Sequence, residues 1–99
     1  MADQVSLKVN GQPIDMIPFV EDYVAQVADG IVQSLRGAAP TDKLALQVTE
    51  SDVSVTQNGG ELEVNEFVSK IITSTVLGMV SPLKGVSDPK EISIEIVKN

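Results

Sequence analysis

The sequence predicts an α+β fold: a two-layer α/β sandwich whose mostly antiparallel six-stranded sheet carries two helices on one face. Three observations predict it. Residues 5–51 align without gaps on residues 53–99 at an offset of 48. Each of these segments opens with two short alternating apolar runs joined by Asn-Gly, the pattern of a β-hairpin. Each continues with an apolar stripe of period 3.6 and ends on a third alternating run, so the elements read ββαβ twice.

The alignment contains ten identities in 47 pairs, where ordinary residue usage gives roughly three by chance. Val5-Ser6 falls on Val53-Ser54, Asn10-Gly11 on Asn58-Gly59, and Phe19-Val20 on Phe67-Val68. Gly30, Val32, Leu35 and Gly37 fall on Gly78, Val80, Leu83 and Gly85. Turn residues, apolar positions and glycines keep register together. The chain therefore reads as a single domain, 1–99, of two internal repeats.

Val5, Leu7 and Val9 alternate with Ser6 and Lys8, the period of a strand with one buried face. A type I′ turn needs positive φ at both central positions, and Asn10-Gly11 tolerates that. The return strand, Gln12 to Met16, turns Ile14 and Met16 inward; Pro13 has no N–H for a ladder and belongs on an edge. Val53, Val55, Leu62 and Val64 repeat the pattern around Asn58-Gly59. Pro18 suits the first turn of a helix, where its missing N–H costs nothing. In the second repeat Asn65 is a good N-cap, and Glu66 lies at the positive end of the dipole. Val20, Tyr23, Val24, Val27, Ile31 and Leu35 follow a 3.6-residue period, as do Val68, Ile71, Ile72, Thr75, Met79 and Leu83. Arg36 and Lys84 fall at the negative ends, with Gly37 and Gly85 at the left-handed position that closes a helix. Pro82 loosens the second helix in its last turn, and Gly78 four residues earlier limits the clash. Leu44–Val48 and Ile92–Val97 alternate again as the final strands. Strand order is left open, although short links such as Thr49-Glu50-Ser51-Asp52 favour antiparallel neighbours.

Composition narrows the chemistry. The apolar fraction of 42% is enough for a packed core. With no cysteine there is no disulfide framework, thiolate nucleophile or Cys-type zinc site, and with no histidine the commonest general base near neutral pH is missing. Seven basic against fourteen acidic residues give a net charge of −7, which a phosphate backbone repels. No apolar run reaches the roughly 18 residues of a membrane span, and Met1-Ala2-Asp3-Gln4 lacks the basic start of a signal peptide. A soluble cytoplasmic domain is the expectation.

Each candidate site has a plainer reading beside it. The Asn-Gly pairs stand outside any GxGxxG or Walker spacing and read as turns. Gly30 and Gly78 lie mid-helix, where glycine costs about 1 kcal/mol against alanine. Close approach of a second element is expected there, with a ligand against bare backbone as the alternative. Glu61 and Glu63, Glu21-Asp22, and Glu50 with Asp52 are the carboxylates available for acid–base work. No nucleophile or aromatic platform accompanies them, and they read as a solvated acidic face; the EF-hand spacing is absent. Tyr23 is expected to bury its ring and keep its hydroxyl wet. Phe19 and Phe67, which match each other, read as one shared core position. Val76 and Leu77 widen the apolar arc of the second helix where the first has Ala28 and Asp29. With Met79 they form the candidate interface, burial within the chain being the equal alternative. The outer sheet face is expected to carry Ser6, Lys8, Ala45, Gln47, Ser54, Thr56, Ser93 and Glu95, and to be solvated.

Lys8-Val9-Asn10-Gly11-Gln12-Pro13-Ile14 resembles the opening hairpin of small β-grasp sulfur-carrier proteins. That family reacts through a C-terminal Gly-Gly. This sequence ends Val97-Lys98-Asn99, so the resemblance implies no carrier activity here.

The expected function is a non-catalytic protein-binding or assembly module, a homo-oligomer with room for a protein partner. Neither cofactor nor metal is expected, and neither nucleic acid nor membrane as partner. The alternative is a small-ligand binder with a cleft between the two repeats; an enzyme ranks third.

Overall fold

The computed structural model describes residues 4–35 and 39–98. Along the chain the elements are β1 (Gln4–Val9), β2 (Gln12–Pro13), α1 (Pro18–Gln33), β3 (Lys43–Val48), β4 (Val53–Gln57), β5 (Gly60–Leu62), α2 (Glu66–Val80) and β6 (Ile92–Val97). The strands form one six-stranded sheet in the order β2-β1-β6-β3-β4-β5, with every neighbouring pair antiparallel. The class expected from sequence, α+β with two helices, is the class observed.

Both Asn-Gly pairs are the turns they promised to be. Asn10 and Gly11 have φ of 52° and 80°, Asn58 and Gly59 of 52° and 84°, the positive values a type I′ turn requires. Pro13 lies on the edge strand β2, opposite Lys8. That strand is shorter than the expected Gln12 to Met16, because Pro13 offers no N–H; one more bond, Ile14 N–H to the Leu7 carbonyl at 2.9 Å, extends the pairing past it.

The third strand of each segment does not return to its own hairpin. β3 lies between β6 and β4, and β6 between β1 and β3, so each final strand pairs with the hairpin of the other segment. Exchanging residue numbers by 48 carries the pair Val5↔Ile96 onto Val53↔Val48, and Lys8↔Pro13 onto Thr56↔Glu61. The central β3·β6 ladder maps onto itself, Leu44↔Ile96 becoming Ile92↔Val48.

The alternating runs now acquire a face. Leu7, Ile94, Leu46, Val55 and Leu62 lie side by side across five strands. Val24, Ala28 and Val32 of α1 and Ile72, Val76, Met79 and Val80 of α2 complete one core with that row. Burying such side chains contributes about 1.5–3 kcal/mol each. On the opposite face Ser6, Lys8, Gln47 and Glu95 are exposed, and Ala45, Ser54, Thr56 and Ser93 are half-covered. The molecule measures 35 × 34 × 18 Å, a broad slab of two layers.

The helices differ from expectation in phase and length. The expected core stripe included Tyr23, Ile71 and Thr75, all of which are exposed. The second helix is apolar over most of its circumference, so several stripes fit a 3.6-residue period. Packing on the sheet selects Ile72, Val76, Met79 and Val80. Asn65 caps α2 as expected, its side chain accepting the Val68 N–H at 2.8 Å. The helix stops at Val80 rather than running to Leu83, because the Pro82 ring removes a donor and blocks the next turn. Gly85 has a positive φ of 91°, but it sits in the following loop rather than at the helix end. The expectations for Arg36 and Gly37 fall outside the described residues.

Candidate functional site

The three candidate interface residues divide. Val76 is fully buried and Met79 is 9% exposed, both within the chain's own core. Leu77 is half-buried against it. Phe19 and Phe67 depart from expectation the other way: they are 72% and 71% exposed rather than shared core residues. Each occupies the first turn of its helix on the side away from the sheet, while Val20 and Val68 take the inward place.

Those two phenylalanines begin matching outward stripes. On α1 the stripe is Phe19, Tyr23, Gln26 and Gly30; on α2 it is Phe67, Ile71, Ser74 and Gly78, all exposed. Steps of four, three and four residues keep each set on one helix face. The Phe19 and Tyr23 rings stack with centroids 6.2 Å apart. Gly30 and Gly78 show no close neighbour: a Cβ built on either meets no atom within 4 Å. The close approach expected from sequence is therefore not made among the described residues. Asp22 and Lys70, at equivalent places beside the two stripes, are exposed and opposite in charge.

The turn asparagines do more than form turns. Asn10 Oδ1 accepts the N–H groups of Lys90 and Glu91 at 2.8 and 3.0 Å, and its Nδ2 donates to the Asp88 carbonyl at 3.1 Å. Asn58 Oδ1 accepts those of Asp42 and Lys43 at 2.8 and 2.9 Å, and its Nδ2 donates to the Pro40 carbonyl at 2.9 Å. Each hairpin thus clamps the loop that feeds the other segment's last strand. The turn pattern alone does not reveal this clamp; its signal is Asn at the first turn position in both segments, where glycine supplies positive φ equally well.

One polar cluster joins residues of both segments and is not repeated at the positions 48 residues away. Gln57, 6% exposed, donates from Nε2 to Thr41 Oγ1 and to the Ala39 carbonyl, both at 2.7 Å, and accepts the Ala39 N–H at 2.9 Å. Thr41 Oγ1 donates to Asp29 Oδ1 at 2.7 Å, and Gln33 donates to Thr41 Oγ1 at 3.1 Å. Lys98 Nζ lies 2.8 Å from Asp29 Oδ2. Burial alone would raise the Asp29 pKa, but hydrogen bonds from Lys98 and Thr41 and the Lys98 charge outweigh it and hold the carboxyl below its usual value. The signal for this cluster was Gln57 at the inward place that follows Val53 and Val55.

Two open grooves flank the edge strands. One, about 830 Å³, is lined by Pro13, Ile14, Met16, Ile17, Val20 and Leu83 and is mainly apolar. The other, about 1090 Å³, lies at the equivalent place beside Leu62, Val64 and Val68, with Ser34, Glu61, Glu63 and Asn65 making it more polar. Glu61 and Glu63 are exposed, and among the described residues no three acidic side chains gather to hold a metal ion. No helix is long and apolar enough to cross a membrane among the described residues. The helix layer exposes Phe19, Tyr23, Phe67 and Ile71 among polar neighbours that include Gln26, Lys70 and Ser74. No protein-family model, curated protein or solved structure matches the chain.

Proposed function

We propose that this chain is a non-catalytic protein-binding or assembly module of two internal repeats, 5–51 and 53–99, and that its working surface is the outward face of α1 and α2. The observation that carries this reading is the exposure of Phe19, Tyr23, Phe67 and Ile71 at pairwise equivalent positions. Single exposed apolar residues are ordinary, but a grouped set on one face marks a contact surface. The repeat is supported by ladder registers related by 48 residues and by the reciprocal Asn10 and Asn58 clamps.

A photo-activated cross-linker at position 19 or 67 tests it in cells expressing the full chain. A discrete adduct is expected from both positions, and little from position 47 on the open sheet face. Equal, diffuse labelling from all three positions refutes the reading.

The groove beside β2 favours a second reading, a binder of a small apolar ligand. Pro13, Ile14, Met16 and Ile17 come from one segment and Leu83 from the other, so it lies between the repeats. A thermal-shift screen with apolar metabolites tests it, since a ligand selective for the folded state raises the melting temperature.

A further inference from the structure

We infer that the partner on the helix layer is a second copy of this chain, packed face to face so that α1 of each copy crosses α2 of the other antiparallel. This rests on the reading that the helix layer is an assembly surface, and names its occupant.

Shape is the first support. Each stripe begins with a phenylalanine and ends, eleven residues later, on a glycine above which nothing lies. In an antiparallel crossing of α1 over α2, Phe19 of one copy meets Gly78 of the other, and Gly30 meets Phe67. Tyr23 and Ile71 then fall opposite Ser74 and Gln26. Large side chains face small ones at both ends, the complementarity that lets two helices approach closely. A two-fold contact requires such self-complementarity, because every bump must find its hollow on an identical surface.

Charge is the second. The chain carries a net −7, so two copies repel each other over most of their surface. The two stripes hold no ionisable group except the Tyr23 phenol, and the exposed charged residues beside them are Asp22 on α1 and Glu66 and Lys70 on α2. In that register Asp22 falls opposite Thr75 and Lys70 opposite Val27, so Asp22 and Lys70 of opposite copies share one seam about 7.5 Å apart along the axis. Packing α1 against α1 in the equivalent register would put two Asp22 carboxylates on one seam at the same spacing, and α2 against α2 two Lys70 ammonium groups. Opposite signs favour the first arrangement.

Area is the third. A stable interface covers about 800 Å² per partner, and a slab face measuring 35 by 34 Å accommodates it. The glycines would also explain a local sacrifice. Within one chain Gly30 and Gly78 cost helix propensity and relieve no contact, since a Cβ there has open space.

The test is sedimentation equilibrium of the purified full chain from low to high micromolar concentration, with circular dichroism reporting the fold. A dimer is expected for the parent. Asp22→Lys alone and Lys70→Asp alone should each weaken it by about fivefold to tenfold, and the two together should restore the parent constant to within about twofold. Gly30→Gln with Gly78→Gln should weaken the dimer by at least tenfold while the diluted chain melts no lower than the parent, since both positions gain helix propensity. A parent that stays monomeric at every concentration overturns the inference. So does a dimer indifferent to the glycine pair, or a charge swap that fails to rescue. A monomer whose position-19 cross-linker captures a different protein also overturns it, and in that case the assembly reading survives. A monomer with no discrete adduct removes both.

Discussion

Two corners of the sheet occupy equivalent places and are filled with different chemistry. At one, Gln57, Thr41, Gln33, Asp29 and Lys98 join in a hydrogen-bonded cluster that ties α1, β4 and the end of β6 to the loop before β3. At the other, the positions 48 residues away hold Val9, Pro89, Ser81, Leu77 and Glu50. Val9 is buried in the core there and Leu77 packs against it. Around both corners the backbone does the same thing: an Asn-Gly turn, an asparagine clamp, and a loop delivered to a central strand. The frame is set by the turn and the clamp, and the filling is a separate choice. A complete polar network and an apolar plug are both workable, provided no buried group is left without a partner.

The largest loss is expected when the apolar corner receives the polar filling. Val9→Gln should lose about 3 kcal/mol, since it deletes buried apolar surface and strands an amide in the core. The reverse change, Gln57→Val, should lose about 2 kcal/mol, because the Ala39 N–H and carbonyl lose their Gln57 partner at once. Urea midpoints at constant slope measure both. A Val9→Gln variant as stable as the parent would show that this corner holds water and is not an apolar plug.

The shared frame makes a different prediction. Asn10→Ala and Asn58→Ala should each cost about 1–2 kcal/mol and agree within about 0.5 kcal/mol, since each removes an acceptor of two N–H groups. Clearly unequal losses would mean that the filling of the corner, and not the clamp, holds the loop.

The smallest effect is a pH dependence confined to one corner. The Asp29 carboxyl is held below its usual value in the folded chain. Its contribution is therefore complete above the ordinary aspartate pKa of about 3.9 and disappears as pH falls through the lower folded value. Asp29→Asn should destabilise the protein at neutral pH, and the gap to the parent should close in strong acid. The effect stays modest because Asp29 and Lys98 are 24% and 34% exposed.

Much of the fold was legible because its signals are local. Alternation placed the strands, Asn-Gly fixed both turns, Asn65 fixed the start of α2, and Pro13 marked an edge. What escaped was set by tertiary contacts. Nothing in Ile71 or Ile72 alone says which faces the sheet; that depends on where the helix rests. The exposure of Phe19 and Phe67 is hidden from sequence for the same reason, since two matching aromatics signal equivalence and not depth. The short link over residues 49–52 already favours β3 beside β4, but the pairings that decide strand order, β1 with β6 and β3 with β6, join strands far apart along the chain. Of the three residues singled out on the second helix, Val76 and Met79 are buried in the chain's own core, the alternative the sequence left open, and Leu77 is half-buried.

The pairing of β1 with β6 also bears on chain order. Gln4 stands opposite Val97 in the same relation that Asp52 has to Thr49, where a short turn already joins β3 to β4. A linker closing the chain between Lys98 and Gln4 would therefore repeat a connection the sheet already makes. Opening the chain between Glu50 and Ser51 would cut only that turn and leave every ladder whole. The result is a circular permutant in which the two segments trade places along the polypeptide, and it folds to the same sheet with its first and last strands renamed.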